Sequence, residues 1–315
     1  MKFPAIDSNI HIIGNNVVNI ASVPLRSPFR YPGGKTWLVP YIRQWLKSLK
    51  QKPTIFIEPF AGGGIVSLTV AFEGLSDKIL MVELDDGVAA VWETMLGDDC
   101  DWFIDRILSF NLNEKNVMDE LSRQDVELKE KAFQVLLRNR TFHSGILAPG
   151  STLVKNGEAG KGLGSRWYPR TLAKRVGAIH SRRHKIEFIH GDGLRVIRQC
   201  LSTPEAAFFI DPPYTAGGKH SGERLYTHHV LDHNALFDLS SNISGNFLMT
   251  YDLSPEVMAL SQKFGFEIAG VPMKNTHHAA MYELIIGRDL NWVKKPNFVS
   301  DTRITDFLVS TEAAK

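Results

Sequence analysis

The chain has 315 residues, of which 43% are hydrophobic and 22% are charged, the composition of a globular protein with one large core or a core and a sizeable insertion. Its two cysteines, Cys100 and Cys200, form no C-x-x-C pair, so the sequence implies neither a disulfide framework nor a thiolate zinc site. Because the sequence has neither a signal-peptide pattern nor a run of 18 apolar residues, we expect a cytoplasmic protein without a membrane span.

Six short apolar runs predict buried strands, and six helical patterns lie between them. The runs are continuous rather than alternating, so the strands are expected to be covered on both faces, as in a parallel sheet. This alternation of strand and helix indicates an open α/β sheet. The predicted strands are Pro53–Glu58, Lys78–Glu83, Lys185–His190, Ala206–Asp211, Asn246–Tyr251 and Met281–Ile286. The predicted helices are Lys35–Lys50, Gly64–Gly74, Asp86–Leu96, Gly193–Leu201, Leu231–Ile243 and Pro255–Lys263.

Residues 97–184 interrupt the alternation, and we interpret them as an inserted, mostly helical domain within a main domain of residues 28–96 and 185–315. The stretch from Arg138 to Lys185 holds eleven Lys or Arg and one acid, a net charge of +10 that leaves −8 for the rest of the chain. So uneven a distribution favours a polyanion such as nucleic acid as a partner, with a solvated basic face as the alternative. Residues 1–27 form an N-terminal extension to which the sequence assigns no role.

A glycine-rich loop, Glu58-Pro-Phe-Ala-Gly-Gly-Gly64, follows the first predicted strand and opens a helix. Such a loop lets the backbone approach a ligand closely at the helix N-terminus. Glu83 ends the next strand, 19 residues beyond Gly64, at the usual distance for a carboxylate that binds a ribose diol. These features fit either a dinucleotide or S-adenosylmethionine, although Ser67 stands where a dinucleotide motif has its third glycine. A tight turn with a capping acid is the alternative.

The tetrapeptide Asp211-Pro-Pro-Tyr214 directly follows the fourth predicted strand. Its two prolines stiffen the turn and remove two backbone donors, which leaves a carboxylate, a carbonyl and an aromatic ring at a rigid edge. These groups suit the amino group of adenine, which is a poor nucleophile because its lone pair is delocalised into the ring. Asp211 and the carbonyl of Pro212 can accept its hydrogen bonds while Tyr214 stacks on the base. A stiffened turn with a capping Asp is the alternative.

Three motifs together resemble the Dam-type family of DNA adenine N6-methyltransferases, in the family's order. Arg30-Tyr-Pro-Gly-Gly-Lys35 resembles its K-W-A-G-G-K element, residues 58–64 its E-P-F-x-G-x-G loop, and residues 211–214 its catalytic tetrapeptide. The resemblance implies a Rossmann-like methyltransferase fold with an inserted target-recognition domain. It also implies a site-specific, adenine-specific enzyme that uses S-adenosylmethionine and flips its target base out of double-stranded DNA. A bacterial, phage or mobile-element origin and a cognate restriction endonuclease are consistent with such a family.

The resemblance further assigns roles to single residues. Tyr31 would pack on the cofactor, Lys35 would meet its carboxylate end, and Glu83 would hold its ribose. Asp192 would contact the adenine of the cofactor, and Asp211 would face both the cofactor and the target base. The catalytic set is Asp211, Pro212, Pro213 and Tyr214. The cofactor-binding set is Tyr31, Gly34, Lys35, Glu58, Phe60, Gly62, Gly64, Glu83, Asp192 and Asp211.

Asn139-Arg140 followed by Gly145 resembles the N-R-x-x-x-x-G segment that begins the DNA-contacting part of the family. Members that read G-A-T-C often place an arginine three residues beyond this glycine, where the chain has Ala148. We therefore expect a different target sequence or another base-reading arginine. Trp167 could intercalate, stack on the orphan base or anchor the insertion to its own core. The predicted DNA-binding residues are Arg138, Asn139, Arg140, Arg166, Trp167, Arg170 and Lys174.

Other functions stay open at the level of sequence. Methylation of adenine in RNA or of cytosine N4 in DNA needs a similar site, although Ser is commoner than Asp at the first position of the tetrapeptide in cytosine enzymes. A catalytically idle DNA-binding relative and a nicotinamide oxidoreductase are the remaining alternatives. His229 and His233 are one helical turn apart but have no supporting ligands, so no metal is expected. Tyr226 is a candidate for an aromatic lid over the base.

Overall fold

The computed structural model describes residues 10–13, 18, 20–30, 34–143, 151–154, 157, 160–213, 231–274 and 280–293. These residues form an eight-stranded sheet and ten α-helices. The strands are β1 His11–Ile12, β2 Ile55–Glu58, β3 Lys78–Glu83, β4 Ile186–His190, β5 Ala206–Ile210, β6 Asn246–Asp252, β7 Glu267–Lys274 and β8 Ala280–Gly287. The helices are α1 Val39–Ser48, α2 Ile65–Glu73, α3 Asp86–Leu96, α4 Cys100–Ser109, α5 Glu114–Ser122, α6 Leu128–Thr141, α7 Pro169–His180, α8 Gly193–Gln199, α9 His233–Ser241 and α10 Pro255–Phe264. Outside the described residues lie Tyr31, Gly145, Ala148, Tyr214, Tyr226 and His229.

The strand order is β1-β7-β8-β6-β5-β2-β3-β4. Strands β6, β5, β2, β3 and β4 are parallel, β8 is antiparallel to both of its neighbours, and β1 runs parallel to β7. The chain runs outward from β2 through β3 to β4 and then crosses back to β5, on the other side of β2. The order therefore reverses between β2 and β5, and ligands of open α/β sheets bind at such a reversal, beyond the carboxyl ends of the strands.

The central strands are covered by apolar side chains on both faces. Phe56 and Phe209 belong to one buried cluster, and Ile57 and Phe208 belong to a second cluster on the opposite face. All four side chains are fully buried. This arrangement explains the continuous apolar runs, because each strand buries alternate side chains on opposite faces of the sheet.

The predicted strands and helices are all present, with ends shifted by a few residues. The helix predicted from Lys35 begins with a 3-10 turn, Lys35–Leu38, before α1. Strand β7 was not predicted, because Gly270 and Pro272 interrupt its apolar pattern and disfavour a strand. Within the described residues, no helix is long and apolar enough to cross a bilayer.

Helices α4 to α7 come from the predicted insertion and pack against the main sheet through α3. Phe103, Phe133 and Trp167 of the insertion belong to the same buried cluster as Trp92 of α3 and Phe56 of β2. Part of the N-terminal extension joins the fold as β1, in which His11 and Ile12 pair with the edge strand β7. The described part of the insertion therefore shares its hydrophobic core with the sheet.

Candidate active site

The reversal in strand order brings two loops together. One is the glycine loop of residues 58–64, which follows β2, and the other begins with Asp211, which follows β5. Strands β2 and β5 are hydrogen-bonded neighbours, with Ile57 opposite Phe208. The carboxyl groups of Glu58 and Asp211 lie close enough for the charge of Asp211 to raise the pKa of Glu58.

The glycine loop packs against Trp92 of α3, which fixes its conformation. Gly64 has a φ of +61°, and a Cβ at this position would lie 2.6 Å from both Cε of Met81 and Cζ2 of Trp92. The indole Nε1 of Trp92 donates a hydrogen bond of 2.9 Å to the carbonyl of Gly62. Glycine is therefore required at position 64 on conformational and steric grounds.

Glu58 is buried at the base of this loop, where its Oε2 accepts a hydrogen bond of 2.9 Å from the backbone N–H of Ser67 in α2. Burial raises the pKa of Glu58 to about 8, and the nearby carboxylate of Asp211 adds to this effect. The hydrogen bonds from Ser67 and the positive charge of Lys35 oppose the rise in pKa. Glu58 is therefore mostly protonated at neutral pH.

Glu83 ends β3 beside the glycine loop. Its Oε2 accepts a hydrogen bond of 2.7 Å from the N–H of Gly62, and its Oε1 accepts bonds of 2.9 Å from the N–H groups of Leu84 and Asp85. Burial raises the pKa of Glu83 although these three donors favour the charged form. The carboxylate of this partly exposed residue is thus fixed against the loop that precedes α2.

Asp192 follows β4, the strand next to β3. The N–H of Gly191 donates to the carbonyl of Glu83 at 2.9 Å, which ties the end of β4 to the end of β3. Asp192 itself is exposed, and its Oδ1 accepts a hydrogen bond of 2.9 Å from the N–H of Leu194 at the start of α8. Phe60, which is partly exposed, packs against the second apolar cluster.

Asp211 is held by two side chains. The hydroxyl of Thr250 on β6 donates to Oδ1 of Asp211 at 2.8 Å, and Nζ of Lys35 lies 2.9 Å from the same oxygen. The side chain of Asp211 is 21% exposed, whereas that of Lys35 is only 4% exposed. Pro212 is buried and Pro213 is partly exposed. The carboxylate is thus fixed in orientation while it still reaches the surface of the site.

Lys35 also pairs with a second carboxylate, Oε1 of Glu283 on β8, at 3.2 Å. Gly34, which precedes Lys35, is exposed. Both Thr250 and Glu283 were missed by the sequence reasoning. The signal for Glu283 was a charged residue inside an apolar run, since a buried charge needs a partner.

The family follows from a comparison with protein-family models. The model described as D12 class N6 adenine-specific DNA methyltransferase matches residues 31–272. The chain belongs to this class. The match includes Lys35, the glycine loop, the insertion and Asp211 of this D12-class methyltransferase, whereas Glu283 lies beyond it.

Searches for relatives gave weaker results. No curated protein matches this D12-class methyltransferase. Among solved structures, PH1948, a proposed RNA methyltransferase from Pyrococcus horikoshii, is 12% identical with a TM-score of 0.36 and covers 89% of this chain and 91% of its own. The rRNA methyltransferase AviRa from Streptomyces viridochromogenes is 15% identical with a TM-score of 0.34, over 70% of this chain and 75% of its own. Likenesses at this level add nothing to the assignment.

Two of the residues predicted to contact DNA are buried in this D12-class methyltransferase. Asn139 is fully buried and Arg140 is 6% exposed, and both bind the backbone of residues 28–30. Burial lowers the pKa of Arg140 to about 9, and the nearby charges of Arg175, Arg30 and Arg166 add to this effect. Their burial argues against direct DNA contacts, because phosphates and base edges can be reached only from the surface.

The structure also places Trp167 in the interior. Its ring lies edge-on to Phe110 and Phe133, with 6.2 Å between the centroids in both pairs. Of the roles that the sequence left open for Trp167, this geometry corresponds to anchoring of the insertion. The adjacent Tyr168 is 53% exposed instead.

The remaining predicted DNA contacts are nearer the surface. Arg170 and Lys174 are exposed one turn apart on α7. Arg138 lies over the ring of Phe142, and Nη1 of Arg166 donates to the carbonyl of the same residue at 3.2 Å. Of the residues predicted to contact DNA, Arg170 and Lys174 are therefore the most exposed.

Proposed function

We propose that this adenine-specific DNA methyltransferase uses S-adenosylmethionine to methylate N6 of an adenine flipped out of duplex DNA, with Asp211 as the catalytic residue. The observation that carries the proposal is the position of Asp211, fixed by Thr250 and Lys35 beside the glycine loop at the strand-order reversal. A carboxylate acts on an amine only if it is both oriented and accessible, and Asp211 is both.

The donor set of the site fits S-adenosylmethionine. This cofactor carries a sulfonium, an ammonium group and a ribose diol, and the site offers the carboxylates of Glu83, Asp192 and Asp211 around a glycine loop, with the buried Glu58 at the base of that loop. Glu83 would hold the ribose and Asp192 the adenine ring. When bound, the cofactor supplies an electrophilic methyl group. A contact of Lys35 with its carboxylate end stays a prediction, because Lys35 pairs with Asp211 and Glu283 in the described structure.

The chain's own contribution to the reaction is to prepare the amine. Asp211 and the carbonyl of Pro212 accept hydrogen bonds from the adenine amino group, so that its lone pair becomes available for attack on the methyl carbon. The amine would gain the methyl group as the carbon–sulfur bond of the sulfonium breaks and leaves a neutral thioether, and the amine must then lose one proton, which Asp211 is placed to receive. Holding the reacting groups in near-attack contact can lower the activation free energy by about 7–11 kcal/mol.

The target base must leave the duplex to reach Asp211, at a cost of a few kcal/mol. Tyr214, by the family resemblance, would stack on the flipped base. Arg170 and Lys174 would neutralise phosphates and set the position of the protein without reading sequence.

The test is a transfer assay with labelled S-adenosylmethionine and, in separate reactions, mixed-sequence duplex DNA or RNA, followed by digestion to nucleosides. We expect label in N6-methyldeoxyadenosine. Label only in RNA, or at N4 of cytosine, would contradict the proposed substrate. Sequencing of methylated positions in DNA from cells that express the chain would identify the target sequence.

A variant tests the role of Asp211. Asp211→Ala should abolish transfer while cofactor affinity falls only modestly, because this residue acts on the amine. Asp77→Asn is the matched control, since Asp77 forms an exposed pair with Lys52 just before β3. Turnover at the normal rate in Asp211→Ala would remove this residue from the mechanism.

A further inference from the structure

A short segment, Ser27–Arg30, lies between the insertion and the glycine loop, and we name it the strap. On the insertion side, the side chain of Asn139 in α6 binds the strap through both its amide oxygen and its amide nitrogen. Its Oδ1 accepts a hydrogen bond of 2.8 Å from the N–H of Arg30, and its Nδ2 donates to the carbonyl of Arg30 at 3.0 Å. A side-chain amide is required for this pairing, because a carboxylate cannot donate and a hydroxyl is too short to bridge both atoms.

Two arginines of the insertion extend the contact with the strap. Nε of Arg140 donates to the carbonyl of Pro28 at 2.9 Å, and its Nη2 contacts the same oxygen. Nη1 of Arg175 on α7 donates to the carbonyl of Ser27 at 3.1 Å. Hydrogen bonds from charged donors are stronger than neutral ones, so the strap is tied firmly to both α6 and α7.

On its other side, the strap holds the glycine loop. The hydroxyl of Ser27 donates to the carbonyl of Gly63 at 2.6 Å and accepts from the N–H of Phe29 at 3.1 Å. The ring of Phe29 lies 6.1 Å from that of Trp92, whose Nε1 binds the carbonyl of Gly62. Two successive carbonyls of the loop are therefore fixed by side chains that the strap supplies or contacts.

The orientation of a peptide carbonyl also sets the N–H of the same peptide group, because the group is planar. The Gly62 and Gly63 carbonyls therefore fix the orientation of the Gly63 and Gly64 N–H groups, and the Gly64 N–H closes the turn of the loop by donating to the carbonyl of Ala61 at 2.7 Å. A contiguous chain of contacts, part-buried at Arg30 and buried at Pro28 and Ser27, runs from Asn139 and Arg140 near the end of α6 through the strap to this loop. Such a chain can transmit a displacement of α6 to the cofactor site.

We propose that Asn139 and Arg140 are positioning residues, which act through the strap on the glycine loop and couple DNA engagement by the insertion to cofactor affinity. This proposal rests on the proposed use of S-adenosylmethionine. It assigns to the N-R pair a role inside the protein, consistent with the burial of both side chains. Because coupling between two binding sites is reciprocal, the strap should also make DNA affinity depend on bound cofactor.

The experiment measures four dissociation constants for each variant of the full chain. Titration calorimetry gives the Kd for S-adenosylmethionine with and without a DNA duplex, and fluorescence anisotropy gives the Kd for the duplex with and without cofactor. The variants are Asn139→Ala, Ser27→Ala and the double variant. Thr141→Val is the matched control, because Thr141 is buried in the same helix and its hydroxyl binds only the carbonyl of Leu137 among the contacts described for it.

We expect Asn139→Ala and Ser27→Ala each to raise the cofactor Kd by about tenfold, the effect of losing one or two buried hydrogen bonds. The duplex Kd without cofactor should stay within about twofold, and the effect of DNA on cofactor affinity should be lost. The double variant should be little worse than either single variant, because both interrupt one path. Thr141→Val should keep the coupling of the unmodified chain.

Three results would overturn the proposal. One is a tenfold loss of duplex affinity in Asn139→Ala without cofactor, which would show a direct DNA contact. Another is an unchanged cofactor Kd in Ser27→Ala, a substitution mild enough to leave the fold intact if Asn139→Ala does not fold. The third is strict additivity in the double variant. Failure of the unmodified chain to bind S-adenosylmethionine at all would instead refute the proposed function.

Discussion

Replacing Gly64 by alanine should be far more costly than replacing Gly74, although the two glycines have nearly the same backbone conformation. They flank α2 at its two ends, with φ angles of +61° and +63°. A Cβ at position 64 would lie 2.6 Å from Met81 and Trp92, whereas a Cβ at position 74 would have nothing within 4 Å. A comparison of Gly64→Ala with Gly74→Ala therefore separates the cost of backbone strain from the cost of steric overlap.

The magnitude follows from these two contributions. A left-handed conformation costs an alanine about 1–2 kcal/mol in both variants. Overlap in a packed interior adds about 1–3 kcal/mol at position 64 alone. Cε of Met81 can move aside at little cost, but the indole of Trp92 is fixed by its bond to Gly62, so the overlap cannot be relieved cheaply. We expect Gly64→Ala to lower the free energy of unfolding by about 1–3 kcal/mol more than Gly74→Ala.

The assay is urea unfolding of both variants beside the unmodified chain, followed by tryptophan fluorescence. Any entropy that alanine removes from the unfolded chain is common to the two variants and cancels in their difference. A difference below about 0.5 kcal/mol would refute the reasoning, because Trp92 would then have to yield freely. Cofactor affinity should also fall in Gly64→Ala alone, since only this substitution displaces the glycine loop.

Three further predictions concern ionisation, orientation and DNA. The pKa of Glu58 is raised to about 8 in the fold, so its contribution to the free energy of unfolding should fall by about 1.4 kcal/mol per pH unit as the pH rises from about 4.5 to 8. Glu58→Gln should remove this pH dependence. Urea unfolding at several pH values that gives the same pH dependence for both proteins would contradict the assignment. Thr250→Val should lower kcat about tenfold with little change in the cofactor KM, because one hydrogen bond that orients Asp211 is lost. Steady-state kinetics in which only KM changes would argue instead for a role of Thr250 in cofactor binding. Arg170→Ala and Lys174→Ala should each reduce the slope of log affinity against log salt concentration by about 1; duplex titrations with unchanged slopes would move the DNA surface away from α7.

The main part of the sheet was predictable because its strands are buried on both faces. Continuous apolar runs such as Ala206–Asp211 can be recognised without knowledge of their partners, and the carboxylates that end them meet at one edge of a parallel sheet. The sequence placed Glu58, Glu83 and Asp211 at the carboxyl ends of their strands, and the structure has them there. The reversal of strand order between β2 and β5 was not predicted.

What the sequence did not predict depends on pairing between distant segments. Glu283 becomes part of the site only because β8 lies beside β6, with Glu283 opposite Asp252. Asn139 and Arg140 lie in a basic stretch, yet both are buried because the strap covers them. Charge and motif indicate which partner a segment contacts, whereas burial depends on how helices and loops pack in three dimensions.

The position of β8 in the sheet also limits when the sheet can be completed during translation. Among the described strands, β8 is synthesised after all the others, yet it lies between β6 and β7. A nascent chain that stops short of residue 280 therefore has open edges on both strands, and such edges invite pairing with other chains. The ion pair between Lys35 and Glu283 joins an early segment to a later one, so the site around Asp211 is completed only after β8 has been synthesised.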